Sequence, residues 1–381
     1  MRVFGQLPLY LLTLIFFTSC SGPTPTPDLA PGYRPSPDSD EAGLWMLADR
    51  NEVLTRESGR QVKDSGLQDL AQDIVCQLAP RYCRSVRVTV VELPDINASM
   101  SPNGWMQIWT GLLLRTQNEA QLASVLGHEL AHFIRRHTLL RWQDLRVRTD
   151  QGMMLGLLGT RGFTAASAVI AGNSAFSREQ EEEADELGLT FMGNAGYPLT
   201  EAVSIFEAIA AEQNASDPTA RPPFSLTHPP TELRIERMRT TIASQQTPAS
   251  RLDRPDRLAK LVAPHRAQWL RDEFTRRDYG RLHVLLDRLS TDNHDPAELL
   301  YFRGELYRLK DAPGDRPRAI EAYRQALALP GAPPEAARAL GMLSIKEGNK
   351  PLARESLLRY LAERPNASDR AMIESYLQTL E

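Results

Sequence analysis

Positive charge is not in surplus in this chain: 44 lysines and arginines stand against 48 aspartates and glutamates, a net charge of -4. With a pI near 6.1 there is no basic signature for a phosphate backbone, which excludes nucleic acid as a partner class. Long hydrophobic runs are missing too. The run from Leu7 to Phe17 is too short to cross a bilayer comfortably. A second apolar stretch, Met153 to Ala171, is broken by Arg161 and three glycines, so it reads as a mobile lid or a membrane-touching hairpin rather than a span. Cysteine is scarce, with Cys20, Cys76 and Cys83 only, and so is histidine, with seven. What remains is the composition of a soluble globular protein, 42% hydrophobic and 24% charged, and 381 residues favour two or three domains.

The first twenty residues differ in kind. Arg2, the short apolar run and the small residues after it describe a secretory signal over 1–20. Its end, Phe17-Thr18-Ser19-Cys20, resembles a bacterial lipobox, which implies that Cys20 is acylated and anchors the mature chain. Ser21 after it resembles the outer-membrane sorting pattern. Residues 21–40 are dense in proline and without apolar period, the composition of an extended tether holding the next domain off the membrane. Cys76 and Cys83 are then an even pair, which in an exported protein reads as a disulfide.

Beyond the tether the periodicities predict an α+β chain. Two amphipathic helices fill Glu41 to Leu78, and Ser85–Leu93 and Trp105–Thr110 read as strands. Asn118 opens a helix whose apolar positions Leu122, Leu126, Leu130 and Phe133 continue to about Trp142. Another helix runs from about Arg178 to Asn194, ending near Gly196. A first domain over 41–245 follows. From 265 to 381 the pattern changes to helical pairs, with Ala319 and Ala353 34 residues apart, the period of tetratricopeptide repeats. An α-solenoid of such pairs is expected there.

The chemistry lies in His128-Glu129-Leu130-Ala131-His132. Histidines four apart on a helix project from one face and can grip one metal ion, with Glu129 beside them as a general base. Two imidazoles leave a zinc site one protein ligand short. The acidic run Glu179, Glu181, Glu182 and Glu183 can supply it, and spacing alone does not choose among them.

Gly127–His132 together with Ser177-Arg178-x-x-Glu181-x-x-Ala184-Asp185 resembles the HtpX/Oma1/BepA-type gluzincins, the family that also holds the CAAX prenyl proteases. The resemblance implies a mainly helical zinc metalloendopeptidase domain with a small sheet. It implies one Zn2+ held by His128, His132 and Glu181, with Asp185 supporting a zinc-bound histidine from behind. Leu226-Thr227-His228-Pro229 with Arg234 resembles a further segment of that family, in which the histidine lies near the metal. His228 is then a fourth ligand acting as a plug, a substrate contact, or a loop residue without zinc. Trp105–Thr110 reads either as the edge strand that pairs an extended substrate or as a core strand of the sheet. The plan of signal, zinc domain and repeats implies an exported, lipid-anchored peptidase of the outer membrane. Misfolded or unassembled envelope proteins are its expected substrates and the outer-membrane assembly machinery an expected partner. A repeat-based binding factor with a latent zinc site is the alternative.

Overall fold

The computed structural model describes residues 27–156, 176–216, 228–229, 231–244, 255–291 and 295–380. Cys20 and most of the apolar stretch 153–171 lie outside the described residues. The chain opens with helices α1 (Asp40–Glu57) and α2 (Ser65–Leu78), followed by strands β1 (Arg87–Val91), β2 (Ala98–Met100) and β3 (Trp105–Trp109). Next come α3 (Thr110–Leu113), α4 (Glu119–Ile134), α5 (His137–Gly156), α6 (Arg178–Ala195), α7 (Thr200–Ala215) and α8 (Glu232–Ser244). The remainder is helical: α9 (Pro255–Phe274), α10 (Tyr279–Thr291), α11 (Pro296–Lys310), α12 (Asp315–Leu327), α13 (Pro334–Lys346), α14 (Lys350–Glu363) and α15 (Arg370–Thr379). A mostly helical chain with one small sheet is an α+β architecture. None of the described helices is long and apolar enough to cross a membrane.

The sheet has the order β1-β3-β2, with β1 parallel and β2 antiparallel to β3. Trp105–Trp109 is therefore the central strand, the core reading of the two the sequence allows and not the edge, because β2 has paired with its outer side. The turn between β2 and β3 depends on Gly104 at φ 84°, where a Cβ would lie 2.0 Å from the Ser85 carbonyl oxygen. Trp105 is buried and donates its indole N–H to Thr89 Oγ1 at 3.0 Å.

Helix α4 is the axis of the molecule, with all sixteen residues buried. Asn118 caps it, accepting the Gln121 backbone N–H at 2.9 Å. The helix does not run on to Trp142. It stops at Ile134, and Arg136 takes a left-handed φ of 57° before α5 starts at His137. The apolar residues beyond the break keep helical spacing, so periodicity gave no sign of it.

Residues 27–39 lie along the body. Leu29 is buried, its N–H bonds to the Ile134 carbonyl at 2.8 Å, and its own carbonyl accepts the Tyr82 hydroxyl at 2.6 Å. One apolar core runs from Leu29 to Leu306, so α9 and α10 pack into the same interior as α2, α4 and the sheet. At their junction Arg115 lies 2.7 Å from Glu212 and 2.6 Å from Glu273, while Arg281 lies 3.3 Å and 3.8 Å from the same two carboxylates. All four side chains are almost fully buried. Two smaller cores follow, one between α12 and α13 and one joining α13, α14 and α15.

Candidate metal centre

Helix α6 approaches α4 at two glycines: a Cβ on Gly188 would sit 3.1 Å from the His128 amide nitrogen, and one on Gly127 3.3 Å from the Gly188 carbonyl. With no side chain between the helices, residues one turn apart on α6 reach the histidines of α4. The start of α6 is fixed by a capping box in which Ser177 Oγ accepts the Gln180 N–H and Gln180 accepts the Ser177 N–H. Glu181 and Asp185 then point inward and are buried, whereas Glu179 and Glu183 are exposed and Glu182 is half-buried.

His128, His132, Glu181 and His228 each bring one ligand atom to a single point, all four buried and within 4.8 Å of one another. His128 Nε2 is 3.0 Å from His132 Nε2 and 3.1 Å from His228 Nδ1. Glu181 Oε1 is 2.8 Å from His228 Nδ1 and 3.4 Å from His132 Nε2. Four ligands about 2.0–2.1 Å from one zinc ion would be spaced by roughly 3.3 Å in a tetrahedron, so donor type and spacing both fit such an ion. Glu129 lies beside the cluster, its Oε1 3.5 Å from His228 Nε2. The Phe176 ring stacks on His132 at 4.1 Å and shields the cluster from one side.

The outer nitrogens are also engaged. His128 Nδ1 lies 2.9 Å from Asp185 Oδ1. Arg234 holds that carboxylate with two bonds, of 2.8 and 2.7 Å, and also reaches Glu181 Oε2 at 2.5 Å and the Pro229 carbonyl at 3.0 Å. One guanidinium thus fixes the supporting carboxylate, the third ligand and the loop that carries His228. His132 Nδ1 is 2.8 Å from His137 Nδ1, and His137 Nε2 is 3.1 Å from Glu183 Oε2. Neither His137 nor Phe176 was singled out from sequence. The spacing of five after His132 points away from the metal-binding face of an ideal helix, and only the break at Arg136 turns His137 back.

Burial would raise the Glu181 carboxyl, but hydrogen bonds from His132 and His228 and the charges of His128 and Arg234 hold it far below the usual carboxylate range. Asp185 is likewise lowered, because Arg234 and His128 outweigh its burial. Burial pushes His132 well down, with its bond to Glu181 a partial offset, and pushes His137 down as well. Glu129 moves the other way: desolvation raises its carboxyl against the opposing charges of His228 and His128. A buried carboxylate with raised proton affinity suits a general base.

Residues 62–242 match the model of peptidase family M48. The chain carries an M48 peptidase domain. A Vibrio cholerae protein described as a beta-barrel assembly-enhancing protease is 31% identical over 53% of this chain and 47% of its own length. The mitochondrial metalloendopeptidase OMA1 of Arabidopsis thaliana is 34% identical over 33% of this chain and 26% of its own. For the beta-barrel assembly-enhancing protease of Escherichia coli the figures are 29%, 40% and 34%. The chain therefore spans less than half the length of these relatives. The M48 domain contains all four metal-site residues, Glu129, Asp185 and Arg234. The two cysteines at its edge are joined, Cys76 to Cys83, with Cα atoms 4.5 Å apart.

Proposed function

We propose that the chain is a zinc-dependent metalloendopeptidase of the bacterial envelope that hydrolyses peptide bonds of misfolded or unassembled proteins. His128, His132 and Glu181 hold the ion. Zinc supplies an acidified water and polarisation of the scissile carbonyl. Glu129 takes the proton from the attacking water and hands it to the leaving amine. Asp185 keeps the His128 proton on Nδ1, leaving Nε2 free to bind, and Arg234 holds Asp185 in place. The observation that carries the reading is Glu129 buried against a four-donor cluster, since a structural zinc site has no use for a base there.

Export is read from the signal over 1–20 and the lipobox at Cys20, and the Cys76–Cys83 pair fits an oxidising compartment. Residues 265–381 are read as tetratricopeptide-like pairs that dock substrates or the outer-membrane assembly machinery. Ala319 and Ala353, 34 residues apart, are both buried, and the paired helices meet closely at Gly304 and Tyr323 and again at Gly341 and Leu357.

The test is cleavage of casein by the mature chain, beside Glu129→Gln and a chelator-treated sample. Cleavage by the untreated chain alone supports the mechanism. If Glu129→Gln cleaves as well as the parent, the mechanism is wrong. A second reading, a binding or assembly factor with a latent site, is favoured by one observation: His228 closes the fourth position that water would need. It predicts no cleavage by the parent. Cleavage gained in His228→Ala would identify His228 as a plug.

A further inference from the structure

Helix α1 is amphipathic in the wrong sense. The side against the body carries charge beside Ala48: Glu41 is buried, taking the Tyr33 hydroxyl at 2.9 Å and Arg136 at 2.5 Å. Glu52, also buried, pairs with Arg87 at 2.6 Å, and Asp49, itself exposed, accepts from Asn103 at 2.6 Å. The side facing out is apolar. Met46, Leu47, Val53 and Leu54 are 71%, 59%, 52% and 52% exposed, and they are half of the eight large apolar side chains exposed among the described residues. Positions 46 and 53, like 47 and 54, are two turns apart, so the four form one stripe. A helix that buries two of its carboxylates, Glu41 and Glu52, and leaves Met46, Leu47, Val53 and Leu54 in the open has an apolar side suited to meeting something apolar.

The chain entering α1 indicates what. Leu29 is pinned to the end of α4, and Tyr33 packs against Trp45 of α1 with ring centroids 6.5 Å apart. Cys20 is nine residues before Leu29, a reach of about 30 Å when fully extended. An acyl chain on Cys20 would therefore keep α1 close to the bilayer that holds it. Exposed Arg50 lies within the stripe, where a long cationic side chain can extend to lipid headgroups.

We propose that the outward stripe of α1, Met46, Leu47, Val53 and Leu54, lies on a lipid surface and seats the peptidase against its membrane. This rests on the lipid-anchor reading of Cys20. The head of α1 borders the metal site, because Glu41 and His132 line one small cavity together with Met100 and Arg136. Docking α1 thus brings the site to proteins at the bilayer surface rather than in free solution.

The test is flotation of the mature chain from Ser21, without lipid, with vesicles of phosphatidylethanolamine and phosphatidylglycerol. The parent should float, and Leu47→Glu/Leu54→Glu should bind at least tenfold less with an unchanged melting temperature. Met46→Ser/Val53→Ser should show the same loss and guards against a misfolded first variant. A parent that stays at the bottom, or variants that float equally, overturns the proposal. A dimer in sedimentation that both variants break would make a second copy the occupant, and a large fall in melting temperature would mean the chain covers the stripe itself; either overturns it. Palmitate labelling of the full-length chain in cells reads the anchor separately. An unlabelled chain that still floats removes the anchor and leaves the docking face standing.

Discussion

His137 Nδ1 stands 2.8 Å from His132 Nδ1, so the outer nitrogen of a metal-site histidine is held by another histidine rather than by a carboxylate or a carbonyl. Only one arrangement of protons satisfies the row. His132 keeps Nε2 bare toward the ion and donates from Nδ1. His137 accepts on Nδ1 and donates from Nε2 to Glu183. His137→Phe removes the acceptor and should weaken zinc binding roughly 10- to 100-fold in a chelator competition. His137→Asn places an oxygen near the lost Nδ1 and should recover most of the affinity. Equal zinc affinity in the parent and the phenylalanine variant would show that the contact does not position His132.

The crossing of α4 and α6 tolerates little growth. At Gly188 a methyl group asks the helices to part by a few tenths of an ångström, which the better helix propensity of alanine offsets. Gly188→Ala should be close to neutral in urea denaturation. Gly188→Val should lose about 1–3 kcal/mol and bind zinc more weakly, because it lifts Glu181 away from the histidines.

The buried quartet of Arg115, Glu212, Glu273 and Arg281 ties α9 and α10 to the M48 domain. Arg115→Met leaves two buried carboxylates sharing one more distant guanidinium, at a cost of about 3–5 kcal/mol. Urea denaturation of the full chain reads this directly. A loss under 1 kcal/mol would mean that the charges find other partners.

Acid should loosen the metal-free site with a defined sign. Asp185 and Glu181 have folded pKa values below their unfolded ones, so they bind protons more readily in the unfolded chain. Their stabilisation is fully present above the ordinary carboxylate values near 4 and is lost as pH falls through the lower folded ones. The melting temperature of the metal-free protein should drop from pH 5 to pH 3, and the drop should be smaller in Asp185→Asn. Identical slopes for the two proteins would refute the assignment for Asp185.

The metal-binding helix was legible because its chemistry is local: two histidines and a glutamate within five residues need only a helix to act together. Choosing Glu181 from the acidic run required resemblance, since charge and spacing suit its neighbours as well. Whether Trp105–Trp109 is an edge or a core strand was undecided by sequence, because strand order depends on a partner of three residues with a weak signal. The quartet was hidden for another reason. Its members are scattered from position 115 to 281, and an arginine or glutamate in isolation reads as solvated surface. The bend at Arg136 left no trace because arginine carries no preference for a left-handed turn.

That bend also has a mechanical meaning. Arg136 is gripped by Glu41, and its guanidinium lies over the Tyr33 ring at 5.0 Å, while the backbone two residues before it holds Leu29. A tug on the N-terminus would therefore be delivered to the joint between α4 and α5 before it reached the sheet. The joint is what aims His137 at His132, so tension on the chain and grip on the ion share one hinge.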